Sequence, residues 1–235
     1  MHIAFLDTNT DRSAFGLSHP SECEKFRALL GGPAPDWRYS DFRVSEGQFP
    51  DDLAGYDGVM ISGSIASVND PDAWIARLLD GIRAAKAAEI PVFGACFGHQ
   101  AIAKALGGEV GKNPQGWVLG PYETHTHAPA IWMDRGGSMV LQAAHKEQVL
   151  RPPPGTRIHA GTEAVPIGHL SIGNRIFGTQ YHPELDRDFM AGLFDEMADL
   201  VAPEVLDQAR DRLSRDVDDA RMARWIVAFF EQALR

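Results

Sequence analysis

Short apolar blocks in this chain alternate with longer stretches in which apolar positions return every three or four residues, and that rhythm predicts the elements. His2 to Leu6 form an apolar run ending at Asp7 and read as a buried strand. Thr8 to Pro20 are polar and glycine-containing, which predicts a loop. Ser21 is placed to cap a helix through about Leu30, where Gly31 and Gly32 stop it. Trp37 to Val44 suit a second strand and Gly58 to Ile61 a third. Pro71 and Asp72 open a helix to about Ala88, whose apolar positions Ala73, Ile75, Leu78, Leu79, Ile82 and Ala85 fall at helical spacing. Val92 to Ala95 form a strand that ends at Cys96, and a helix follows from about Gly98 to Leu106. This alternation of strand and helix predicts an α/β fold with a parallel sheet and covering helices.

The pattern changes between about Gly111 and Gln180. Pro, Gly and short β-prone runs dominate there with little helical periodicity, and we read the region as strands and loops covering one end of the sheet. Ile176 to Gln180 read as a last core strand, and Pro152 to Gly155 as a rigid turn. Two or three helices follow from about residue 186. The final one, Arg221 to Leu234, turns Trp225, Ile226, Ala228, Phe229 and Ala233 to one face. With no Pro- or Ser-rich linker, residues 1–235 read as a single domain.

The formal net charge of −10 argues against a nucleic-acid partner, which needs Lys and Arg to neutralise phosphates, and against an anionic membrane surface. The two cysteines, Cys23 and Cys96, make neither a disulfide framework nor a CxxC metal pair. The first residues hold too short an apolar run for a signal peptide or a membrane helix, so the cytoplasm is the expected location. No metal and no cofactor is called for.

Chemistry concentrates in PVFGACFGHQ, Pro91 to Gln100. An apolar strand, a glycine-flanked Cys96 and a helix have the form of a nucleophile elbow with Cys in place of Ser. Gly94 and Gly98 leave room for the tight turn, and the positive end of the following helix favours a thiolate. The N–H of Phe97 would face a developing oxyanion. The plainer reading makes Cys96 a small buried hydrophobe, but the flanking glycines and the strand-to-helix context favour the elbow. A thiolate nucleophile needs a base and an orienter. Phe177 to Leu185 (FGTQYHPEL) offer an apolar strand ending near His182, with Glu184 two residues on and Pro183 stiffening the link. The chain has nine histidines, and the residues alone do not decide between a catalytic His182 and a loop histidine beside a surface glutamate.

Together, GACFGHQ followed by HPE resembles the class I, or triad, glutamine amidotransferases, such as the glutaminase domain of GMP synthetase. The resemblance implies an open, mostly parallel central sheet with helices on both faces, of flavodoxin-like type. It implies catalysis by Cys96, His182 and Glu184. The turn in Ile61 to Asp70 (ISGSIASVND) occupies the place of the family's second oxyanion donor, which makes the N–H of Gly63 or Ser64 the candidate. Most members carry a second glycine where Ser64 stands, so the choice stays open. Gln100 falls where the family's glutamine holds substrate. Ala143 to Val149 resemble its substrate-fixing loop, with His145 a candidate and Glu147 where Asp is frequent. Gly116 to Gly120 resemble a stretch of stand-alone members.

The implied substrate is a small molecule, glutamine or a γ-glutamyl compound. Three functions compete: a glutaminase subunit passing ammonia to a separate synthetase, a self-sufficient γ-glutamyl peptide hydrolase, and a catalytically silent regulatory protein on the same fold. The presence of Cys96, His182 and Glu184 disfavours the last. Three features stay outside this reading. Cys23, flanked by Glu22 and Glu24, reads as structural; His125 and His127 read as a solvated strand face; and the mixed-charge stretch 207–224 reads as a solvated helix surface.

Overall fold

The structure is a computed structural model describing residues 1–134 and 136–234. The chain runs β1 (His2–Asp7), α1 (Ala14–Leu17), α2 (Glu22–Leu30), β2 (Arg38–Arg43), β3 (Gly58–Ile61), α3 (Ala73–Ala87), β4 (Val92–Ala95) and α4 (Phe97–Ala105). It continues through β5 (Glu109–Lys112), β6 (Val118–Thr126), β7 (Gly137–His145), β8 (Glu147–Arg151), β9 (Thr156–Gly161), β10 (His169–Ile172) and β11 (Ile176–Thr179). Three helices follow: α5 (Arg187–Glu196), α6 (Pro203–Arg212) and α7 (Asp219–Ala233). Residues 8–20 are not loop throughout. The Ser13 hydroxyl accepts the N–H of Gly16 and starts the single turn of α1.

The main sheet has the order β2-β1-β3-β4-β11-β10-β9-β6-β7. The five strands from β2 to β11 are parallel to one another, and those beyond β11 pair antiparallel. The middle of the chain therefore lengthens the sheet rather than covering its end, and β5 and β8 form a small sheet of their own. The cause is connection length. Only a tight turn, with Gly173 at φ +56°, joins β10 to β11, and so short a link can pair strands only antiparallel.

Alternation along the central strands sorts their side chains to two faces. Ile3, Phe5, Met60, Phe93 and Phe177 point to the face covered by α2 and α7. Ala4, Leu6, Val59, Ile61, Val92 and Ile176 point to the face covered by α3 and α4. Because both faces are covered, β3, β4 and β11 are apolar and buried along their whole length. Helix α3 buries Ile75, Leu78, Leu79, Ile82 and Ala85, the stripe its spacing predicts. A third cluster, with Leu119, Leu185, Met190, Phe194, Leu206 and Ala209, seats α5 and α6 on β6.

Candidate active site

Strands β3, β4 and β11 are neighbours in parallel register, with Ile61 beside Gly94 and Ala95 beside Thr179. Their carboxyl ends therefore deliver Ser62–Gly63, Cys96 and Gln180–His182 to one place, where open α/β sheets bind ligands. Cys96 joins β4 to α4 with φ +46° and ψ −100°, a strained backbone for a side chain with a Cβ. Its N–H donates to the Thr179 carbonyl at 2.8 Å, and the Gly98 N–H to the Ser62 carbonyl at 3.1 Å. A Cβ on Gly98 would stand 2.5 Å from the Ile61 carbonyl oxygen, so the turn closes only with glycine there. The Phe97 ring stacks on Trp74 at 5.5 Å and fixes the start of α4.

His182 lies between Cys96 and Glu184. Its Nδ1 meets Glu184 Oε1 at 2.7 Å, and the Glu184 side chain is wholly buried. Burial opposes a charge on this ring, but Cys96 and Glu184 together outweigh it and hold its pKa well above 6.5. The His182 N–H donates to the Gln142 carbonyl at 2.8 Å, an isolated bridge that pins the residue to β7. A Cβ added to Gly63 would lie 2.7 Å from His182 Cε1 and 3.8 Å from Cys96 Cβ, so both side chains converge on this glycine.

Among the described residues, the N–H groups of Gly63, Ser64 and Phe97 have no acceptor. Gly63 leaves open the space beside the Cys96–His182 pair that a Cβ would fill, while the Ser64 hydroxyl accepts the Ala66 N–H. Thr8 braces the turn from below. Its hydroxyl donates to the Gly63 carbonyl at 3.0 Å, and its N–H donates to the Ser62 hydroxyl at 2.8 Å.

Gln100 is buried on α4. Its Nε2 donates to the Glu147 carbonyl at 2.7 Å and to Gln180 Oε1 at 3.3 Å, which leaves Oε1 as the atom a ligand could meet. His145 ends β7, buried 6.5 Å from the Tyr181 ring, and neither ring nitrogen has a hydrogen-bond partner among the described residues. Burial, then the charge of His182, push its pKa down to about 3, so the ring stays neutral.

Thr8, Gln142 and Gln180 belong to this site although sequence reasoning passed over them. Gln180 stands two residues before His182, a nearness that could have drawn notice, whereas Thr8 and Gln142 reach the site only through the sheet. Elsewhere, Cys23 is on the buried side of α2, and its thiol is pushed up to about 12 by burial. His125 on β6 and His127 just beyond its end are both exposed.

The family model described as glutamine amidotransferase class-I matches residues 37–193. The chain is 31% identical over 210 residues to gamma-glutamyl peptidase 5 of Arabidopsis thaliana, covering 85% of this chain and 80% of that one. It is 35% identical over 129 residues to the glutamine-hydrolyzing GMP synthase of Aeropyrum pernix, covering 54% of this chain and 24% of that one. A solved glutamine amido transferase from Methylobacillus flagellatus shares the fold, with TM-score 0.77 and 22% identity over 100% of this chain and 94% of that one.

Proposed function

Since the chain belongs to the class I glutamine amidotransferase family, we propose that it hydrolyses the γ-amide of glutamine or of a γ-glutamyl compound through a thioester on Cys96. The observation that carries this reading is the convergence of strained Cys96, the His182–Glu184 pair and the Gly63 backbone at one strand end.

In the proposed reaction the Cys96 thiolate attacks the γ-carbonyl carbon. Negative charge moves to the carbonyl oxygen, which the N–H groups of Phe97 and Gly63 receive; losing one such donor typically costs about 10²–10³ in rate. Imidazolium His182 protonates the leaving nitrogen, the C–N bond breaks, and ammonia or an amine departs, leaving the γ-glutamyl thioester. Neutral His182 then takes a proton from water, and the resulting hydroxide attacks the thioester. Collapse expels the Cys96 thiolate and frees glutamate, returning the ion pair to its starting state. The raised pKa of His182 suits this cycle, because a charged ring is ready to donate at neutral pH.

Between a self-sufficient hydrolase of γ-glutamyl peptides and a subunit feeding ammonia to a synthetase, the first is favoured by the match to gamma-glutamyl peptidase 5 over most of both chains. The test is release of ammonia, amine and glutamate from glutamine and a panel of γ-glutamyl dipeptides, with Cys96→Ala as the blank. Faster turnover of dipeptides supports the hydrolase. Turnover of glutamine alone supports the ammonia supplier. Undiminished turnover by Cys96→Ala would overturn the mechanism.

A further inference from the structure

We propose that Gln180 is a positioning residue for the nucleophile: its side-chain amide donates to the Cys96 sulfur, and a one-way hydrogen-bond relay from the Glu147 carbonyl through Gln100 holds it in that orientation. The inference rests on Cys96 being the nucleophile.

Three contacts make the relay. Gln100 Nε2 lies 2.7 Å from the Glu147 carbonyl oxygen, the same Nε2 lies 3.3 Å from Gln180 Oε1, and Gln180 Nε2 lies 3.6 Å from Cys96 Sγ. An amide side chain can face either way, so its orientation has to be imposed from outside. Here a backbone carbonyl imposes it. The Glu147 oxygen can only accept, so Gln100 must turn its NH2 toward it. The second hydrogen of that NH2 then claims Gln180 Oε1, which leaves the Gln180 NH2 facing sulfur. Turning Gln180 over would set NH2 against NH2 at one end and a carbonyl oxygen against sulfur at the other. No water is at hand to relieve either clash, since Gln180 is wholly buried.

The relay is anchored at both ends. The Gln180 N–H donates to the Gly168 carbonyl at 2.8 Å. The Glu147 carboxylate accepts the Ser67 hydroxyl at 2.6 Å, which ties the relay's origin to the segment leaving the Gly63 turn. A donor fixed on sulfur does two things. It selects one side-chain rotamer at a residue whose backbone is already strained, and it stabilises the thiolate over the thiol. His182 approaches Cys96 as an ion partner, while Gln180 contributes a neutral dipole that stays in place whatever the protonation state of His182.

The test is alkylation of Cys96 by iodoacetamide across pH, followed by peptide mass spectrometry, a readout that needs no substrate turnover. Gln180→Met removes the donor at nearly constant volume. Its expected signature is alkylation about tenfold slower at neutral pH, the scale of one hydrogen bond to a charged group. The gap should close in alkaline buffer, where the thiol ionises unaided. Cys23 is resolved as a separate peptide. Gln100→Met, which leaves in place the backbone N–H that Gln100 donates to the Cys96 carbonyl, should give a smaller deficit of the same shape because it frees the Gln180 amide to turn. A folded Gln180→Met with the wild-type alkylation profile would overturn the proposal. If Gln180→Met does not fold, Gln100→Met decides: a wild-type profile there overturns the relay. If the proposed hydrolysis itself failed, glutamine and γ-glutamyl dipeptides would stay uncleaved by the wild type, an outcome separate from either profile.

Discussion

At the scale of single residues, His182 is where the electrostatics of the site converge. Desolvation pushes it toward neutrality, and Cys96 with Glu184 pushes harder the other way. Folding thus raises its pKa above 6.5, so the charged ring stabilises the fold. That contribution is whole below about pH 6.5 and is lost as pH rises through the raised folded value. Glu184→Gln keeps the shape and removes one source of the shift. Turnover should fall by about 10²-fold or more, and an NMR titration of the His182 ring should move toward lower pH. An unmoved titration would mean that Glu184 does not act on the ring. Gly63→Ala probes the same point sterically. With His182 Cε1 only 2.7 Å from the new Cβ, the ring must shift. A displacement of this size costs about 10²-fold in kcat/KM, while the unfolding temperature should change little because the strain stays at the strand ends.

At the scale of elements, the β4–α4 elbow shows how closely packed backbone supports the strained conformation of Cys96, the proposed nucleophile. Gly98 lies against the Ile61 carbonyl of β3, and that oxygen cannot rotate away as a flexible side chain could. Gly98→Ala should therefore destabilise the protein by about 1–3 kcal/mol, read from urea unfolding. It should also slow alkylation of Cys96 by moving α4 off the sulfur. Wild-type values for both would show that the elbow has slack. Elements with strong periodicity, such as α3 and β4, were legible from sequence because their apolar positions match one face or a fully buried core. Strands β6, β7, β9 and β10 were legible as β but not as part of the main sheet, because hairpin partners depend on turns and edges that hydrophobic pattern does not encode.

At the scale of the whole molecule, buried histidines govern the response to acid. His99, His145 and His169 are all buried, with pKa values pushed down by that burial to about 4, about 3 and about 3. An unfolded chain takes up these protons near pH 6.5 and the folded one does not, so stability is present above pH 6.5 and falls as pH drops toward 4. Three protons give a slope of up to roughly 4 kcal/mol per pH unit. Asp7 and Glu22 work the other way, since burial raises their folded pKa values and the native state takes up their protons first. The slope should therefore flatten as these two raised carboxyl groups take up their protons. Combined with the opposite trend from His182, this places maximum stability near pH 6.5, measurable by urea unfolding from pH 8 to pH 4.5. A maximum at pH 8 would show that the ion pair at His182 adds no stability.

Sequence alone determined that the chain alternates strand and helix, that Cys96 is flanked by Gly94 and Gly98 at a strand-to-helix turn, and that His182 and Glu184 follow an apolar strand. Each of these is a local matter of periodicity, side-chain volume and chain order. It also carried the resemblance to the family whose model matches residues 37–193. Tertiary structure decided what locality cannot reach. Parallel pairing of β4 with β11 set the strand ends side by side and so brought His182, one of nine histidines, to Cys96. Close packing around Gly63 left no room for a Cβ beside His182 and Cys96. The orientation of Gln180 came from a carbonyl on a strand 33 residues earlier in the chain, because an amide's direction is set by whatever surrounds it once water is excluded.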